Sequence, residues 1–269
     1  MTGTGNRSLT PPQNSRGERQ RASRRALLQG LGAAFGASLA AKIFAGEPTA
    51  KVRVLLVIGG HGDNVSSLFE GNHDLDVTRA VLKDPSEFLE DIERWNHEVI
   101  VQYHLGQAIS EKRKKNFLAL MDRGVGVVTI HHALSAFQAW TEYRTIIGGR
   151  SYLAPAVVNG VKLPPTSDGA APRYEVQIAD PQHPITQGLQ DFVIEQEETY
   201  KNYVVDAGAV PLLTTDFAQS DKVLAWTHRC RQARTAYFQP GHAKSTFQHP
   251  VYRTIVLRAI RWAAGWRVS

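Results

Sequence analysis

The chain has 269 residues, 42% of them hydrophobic and 21% charged, which excludes a disordered protein and allows one large domain or one domain plus extensions. Its net charge of +6 is concentrated at the start: residues 1–50 hold seven Lys/Arg and two acids, leaving 24 basic and 23 acidic residues in 51–269. The globular part therefore needs no nucleic acid or other polyanion as partner. The single cysteine, Cys230, excludes an internal disulfide and a Cys-rich zinc site.

Residues 1–20 are polar and read as a disordered leader. Arg24-Arg25 then precede a weakly apolar Gly/Ala-rich stretch from Gly30 to Ala41, the pattern of a twin-arginine signal. About a dozen residues are too few to span a bilayer. The expectation is export by the twin-arginine machinery to the periplasm or beyond, with no membrane span after processing. Residues 1–50 are then leader and 51–269 a single domain.

Lys51–Gly59 is a near-continuous aliphatic run and predicts a strand buried on both faces. The loop GGHGDN that follows does not fit the G-x-G-x-x-G dinucleotide fingerprint, so no nucleotide cofactor is expected. Asp76–Trp95 reads as a helix interrupted at Pro85, with an apolar stripe at Val77, Val81, Leu82, Phe88, Leu89 and Ile92. Glu98–Tyr103 reads as a strand. Ser110 caps the next helix and Gly124 stops it; the run Lys112–Lys115 is a solvated helix face.

Val125–Ile130 is a second buried strand, breaking into His131-His132 and a helix over 134–147 that ends at Gly148-Gly149. Strands follow at 174–179, 210–214, 223–227 and 235–239, with Phe192–Ile194 leading into Glu195–Tyr200 between the first two, and a closing helix at 251–264. The fold class is α/β, a doubly wound, mostly parallel sheet with antiparallel additions in the C-terminal half.

Four polar clusters fall at strand ends: His61, His131/His132, Glu197/Glu198 with Tyr200, and His242. Strand ends in an open α/β sheet converge on one edge, so these groups can share a pocket. Imidazoles with a carboxylate suit general acid/base work or a divalent metal such as zinc. His131, Glu198 and Tyr200 are the candidate catalytic groups. His132, Glu197 and Asn202 are candidate substrate contacts, and His61, His131 and His242 candidate metal ligands. Glu197 and Glu198 are adjacent and point apart in a strand, so they do not flank one glycosidic bond. Trp140, Tyr143, Tyr152, Tyr200 and Tyr203 are available to stack on a sugar ring if the protein only binds one.

Several segments carry a resemblance: VRVLLVIGGH from Val52, GVGVVTIHHA from Gly124, HPITQGL from His183, EETY from Glu197 and AYFQPGH from Ala236, then FQHP and RAIRWA. Together they resemble the ThuA-like (trehalose-utilisation) family, a relative of the class I glutamine amidotransferase fold. That fold would place a nucleophilic Cys where this chain has Ile130-His131-His132, so the resemblance implies no glutaminase. It implies carbohydrate metabolism, with a small-molecule sugar or keto-sugar as partner. Either His61 or His73 fills the family's first-loop role. Homo-oligomerisation is left open.

Overall fold

A computed structural model describes residues 50–60 and 62–268; the segment expected to be a twin-arginine leader and His61 lie outside the described residues. Strands β1 (Val52–Gly59), β2 (Leu75–Val81) and β3 (Val99–His104) come first. Helix α1 (Glu111–Asp122) leads to β4 (Gly126–Ile130), then α2 (Tyr143–Ile147), β5 (Gly149–Arg150) and a hairpin of β6 (Ala156–Val158) and β7 (Val161–Leu163). The second half contains β8 (Ser167–Ile178), β9 (Phe192–Lys201), β10 (Val204–Val205), β11 (Val210–Thr214), β12 (Val223–Cys230) and β13 (Ala233–Phe238). Helices α3 (Lys244–Gln248) and α4 (Pro250–Ala263) close the chain. Among the described residues no helix is long and apolar enough to cross a membrane.

Nine strands form one sheet in the order β2-β1-β3-β4-β13-β12-β11-β8-β9. Pairing is parallel from β2 to β13 and antiparallel from β13 to β9. The aliphatic runs predicted as buried strands are so: all of β3 and β4 is buried, and β1 is buried except at Arg53. Alternate residues feed two cores, as the two-residue side-chain period of a strand requires. Val54, Leu56 and Ile58 join Ile255, Val256 and Ile260 of α4. Leu55 and Val57 join Phe117, Leu120 and Met121 of α1 on the other face. Ser110 caps α1 by accepting from the Arg113 amide, as predicted, and Gly124 follows its end with φ of 80°.

One predicted helix is absent and another is cut short. Residues 76–95 form β2 and a single 3-10 turn (Glu87–Leu89), not a helix. The β-branched Val77, Thr78 and Val81 favour extended backbone, and β1 offers a parallel edge along its length, Leu75 opposite Val52 through Val81 opposite Ile58. The helix expected over 134–147 is reduced to a 3-10 turn (His131–Ser135) and the one-turn α2. Among the described residues, only α1, between β3 and β4, is an α-helical crossover between consecutive parallel strands. β1 to β2 and β2 to β3 cross through 3-10 turns, so the architecture is mixed α/β with both faces of the parallel half covered.

Gly126 sits where α4 crosses β4. A Cβ there would lie 2.4 Å from the Ala263 carbonyl oxygen, a backbone atom that cannot rotate away. Gly126→Ala is expected to destabilise the fold by about 1–3 kcal/mol through overpacking. A lowered urea midpoint with an unchanged denaturant slope would be the signature.

Candidate active site

The carboxyl ends of β4 and β13 supply two of the groups. β4 ends at Ile130, and His131 follows with φ of 57°, a left-handed conformation that a non-glycine residue adopts at some cost. This sharp exit turns the imidazole back under the ribbon of β8 and β9. β13 ends at Phe238 and runs into Gln239-Pro240-Gly241-His242. Gly241 has φ of 152°, and a Cβ on it would lie 2.7 Å from Ile130 Cγ2, so this loop can close over β4 only with glycine there. Tyr103 at the end of β3 donates its hydroxyl to the Gly241 carbonyl at 2.9 Å.

Glu198 and Tyr200 come from the far edge of the sheet. β11 pairs with β8 only at Gln177 and Ile178, whereas β8 pairs with β9 as far as Ser167 opposite Lys201. The free length of this ribbon carries Glu198 and Tyr200 to His131, and their i, i+2 spacing keeps both on that side, as predicted. Glu197 turns into the β13 loop. Its buried carboxylate accepts from the amides of Gly241, His242 and Ala243 and from that of Glu198. It anchors the loop that presents His242.

The centre is compact. His131 Nδ1 lies 2.8 Å from the Gln239 carbonyl oxygen, which can only accept, so Nδ1 carries a proton. His131 Nε2 lies 2.9 Å from Glu198 Oε2 and 2.9 Å from the Tyr200 hydroxyl. His242 Nδ1 is 3.6 Å from the same Glu198 oxygen. The His131 ring stacks on Tyr200 with centroids 4.8 Å apart. Burial raises the Glu198 pKa, but the hydrogen bond and charge of His131, the charge of His242 and the Tyr200 bond outweigh it and hold the carboxyl below its ordinary value. Tyr200 moves the other way: burial and the Glu198 charge push its hydroxyl far up, so it stays a proton donor.

One ligating atom each from His131, Glu198 and His242 lie within 4.8 Å of one another, a donor set that fits a divalent ion. The expected ligands His131 and His242 are thus together, joined by Glu198. His73 does not reach the site. It precedes Leu75, which pairs with Val52 at the opposite end of β1. His132 is buried, packs edge-on against Tyr103 and lines an adjoining cavity. Asn202 follows β9 and directs its amide to the Pro165 carbonyl, bracing the loop that bears Thr166.

That cavity measures about 230 Å3 and is lined by Ser135, Ser151, Thr166, Ser167 and Asp168 together with Glu198 and Tyr200. A second cavity of about 540 Å3, more apolar, shares Asp168 and Glu198 with it and contains His242. Trp140, Tyr143 and Tyr203 are buried in the core and present no face to a ligand. Cys230 is buried at the end of β12, where burial raises its thiol pKa, so the site has no thiol nucleophile.

Gln239 was not singled out in the sequence. Its carbonyl fixes the His131 tautomer and its amide donates to the Glu198 carbonyl at 2.8 Å. Its place between a strand and Pro-Gly-His was the available signal.

The model of the ThuA family, described as trehalose utilisation, matches residues 39–263. No curated protein matches the chain. A ThuA-like protein from Parabacteroides merdae ATCC 43184 superposes with a TM-score of 0.66 at 22% identity, over 81% of this chain and 92% of that one. A ThuA-like protein from Bacteroides uniformis ATCC 8492 gives 0.58 at 17%, over 81% and 94%. Cytoplasmic protein STM1381 from Salmonella typhimurium LT2 gives 0.52 at 12%, over 78% and 99%. At these identities the structures establish a shared fold, whereas the family match spans most of the chain: the chain belongs to the ThuA (trehalose utilisation) family.

Proposed function

We propose that this ThuA-family protein is an enzyme that moves a proton on a sugar or keto-sugar, with His131 and Glu198 as the acid/base pair and Tyr200 as hydrogen-bond donor to a substrate oxygen. One observation carries the reading: Nε2 of a tautomer-fixed His131 meets both the Glu198 carboxylate and the Tyr200 hydroxyl at 2.9 Å. A neutral ring accepts the Tyr200 proton at Nε2; a protonated ring donates to Glu198. The pair can therefore take up or release a proton without moving a heavy atom. Next to a carbonyl, that capacity suits isomerisation or lyase-type cleavage, with Tyr200 stabilising the enolate oxygen. The hydroxyl-lined cavity beside Glu198 supports a carbohydrate as the ligand. The leader, with its paired arginines, supports export through the twin-arginine pathway to the periplasm.

A metal-assisted alternative, in which His131 and Glu198 serve as ligands with His242 rather than as the acid/base pair, is favoured by this donor set. A bound divalent ion would polarise the substrate carbonyl. Gln239 would keep His131 Nδ1 protonated and so leave Nε2 as its ligand atom. A purely sugar-binding role has less support, because Trp140, Tyr143 and Tyr203, three of the aromatic residues it would use, are buried in the core away from the cavity.

The test is metal analysis of the purified protein together with turnover of 3-keto-glycosides by wild type and His131→Ala. Turnover that collapses in the variant supports the assignment, and equal turnover removes His131 from the mechanism. Restoration of a chelated protein by one divalent ion selects the metal-assisted form.

A further inference from the structure

Away from this centre, Arg150 is a buried charge with no carboxylate in contact among the described residues. It lies on β5 with 2% of its surface exposed. Its Nη2 donates to the Phe137 carbonyl at 2.7 Å, and its guanidinium carbon lies 5.3 Å from the centre of the Tyr143 ring. Nη1 has no hydrogen-bond partner among the described residues. A buried guanidinium is normally paired with a carboxylate or fully hydrogen-bonded. The nearby Arg144 does not share the vacancy, because Asp206 already accepts from its Nε at 2.6 Å.

Both arginines line a cavity of about 280 Å3. Its other polar walls are Gln138, Thr141, Tyr152 and Asn159, and no acidic residue lines it. With Arg144 balanced by Asp206, the cavity keeps the positive charge of Arg150 in a wall rich in hydrogen-bond donors. Burial lowers the Arg150 pKa, and Tyr143 and Tyr152 oppose that shift only in part, as expected where no carboxylate compensates the charge.

We propose that this cavity binds a small oxyanion, with Arg150 as the principal cation and Arg144 and Asn159 completing the donor set. A planar guanidinium with a spare Nη1 suits the oxygens of a phosphate or a carboxylate. The cavity adjoins the hydroxyl-lined one through a shared wall. Gln138 Nε2 donates to the Ser135 and Ser151 carbonyls, and both serines face the other cavity. The bound oxyanion is therefore either a free phosphate or the acid group of a sugar acid. The proposal does not rest on the acid/base reading of His131.

Calorimetric titration of the full chain with sodium phosphate and, separately, with D-glucuronate tests it, in chelator so that no ion at His131 contributes. Saturable binding of either is expected. Phosphate alone identifies a free phosphate ligand, and glucuronate binding places the acid on a sugar. Arg150→Gln should abolish the signal. Because a buried substitution can prevent folding, Asn159→Asp is the decisive second variant. Asn159 is exposed with φ of 51°, a conformation aspartate tolerates, so the change adds a negative charge without disturbing the interior. It should weaken binding about tenfold. Absence of saturable binding to wild type, or Asn159→Asp binding as tightly as wild type, would overturn the proposal.

Discussion

Glu198→Gln is expected to lower turnover of a keto-sugar substrate by about 10²–10⁴-fold while leaving the protein folded. The side chain keeps its length and one hydrogen bond, so β9 and its pairing with β8 should persist. What disappears is the charge facing His131 Nε2 at 2.9 Å and His242 Nδ1 at 3.6 Å. Without it, a protonated His131 loses its counter-ion and the pair loses its base. The loss should appear in kcat rather than KM, since the missing interaction belongs to proton transfer and not to sugar binding. Tyr200→Phe should lower kcat by about 10²–10³-fold, because it removes the donor to the enolate oxygen while leaving the ring stacked. Far-ultraviolet circular dichroism and a thermal midpoint near that of wild type would show that the Glu198→Gln protein is folded. A variant with wild-type kcat would remove Glu198 from the chemistry.

Acid should destabilise this protein through His104, with a cost of about 4 kcal/mol at pH 3 from that group alone. The ring is fully buried at the end of β3. Its Nδ1 accepts from the Gly106 amide at 3.2 Å, which leaves Nε2 to donate to Gln102 Oε1 at 3.1 Å. Protonating Nδ1 would break the first bond and bury a charge. Burial therefore pushes its pKa down to about 3, against a small opposing pull from Asp84. The folded value lies below the unfolded one, so the unfolded chain binds the extra proton as pH falls below 6.5. This contribution to stability is intact above pH 6.5 and is lost progressively between 6.5 and 3. Urea titrations at successive pH values should show unfolding free energy falling by up to about 1.4 kcal/mol per pH unit in that window. His97, His183 and His249, whose pKa values burial also lowers, add to the slope with the same sign. His104→Gln keeps an acceptor and a donor but no titrating group, so its slope should be shallower by one proton. An identical slope in that variant would assign the acid sensitivity to other groups.

The parallel half of the sheet was legible because β1, β3 and β4 are buried on both faces, which favours near-continuous aliphatic runs such as Val54–Ile58, Val99–Val101 and Val127–Val128. β2 was not legible. As an edge strand it is mostly exposed, so Val77 and Val81 also fit a helical stripe, and only pairing with β1 decides between them. The helix predicted after His131 fails for a related reason. The left-handed His131 and Phe137 break the regular backbone, and positive φ at a non-glycine residue has no reliable signature in sequence.

The convergence of His131, Glu198, Tyr200 and His242 was foreseen from their positions at strand ends. The role of Glu197 was not, because holding three successive amides of the β13 loop depends on how far the β8–β9 ribbon reaches. Nor could sequence show that a main-chain carbonyl, that of Gln239, fixes the His131 tautomer.

The central claim is that His131 and Glu198 form an acid/base pair at the end of β4. Exchange of solvent deuterium into the carbon next to the carbonyl of a 3-keto-glycoside tests it most directly, since it reports proton abstraction whatever step limits turnover. Wild type should exchange this position well above the uncatalysed rate, and His131→Ala and Glu198→Gln should each bring exchange down by about 10²-fold or more. Wild-type exchange rates in both variants would contradict the claim.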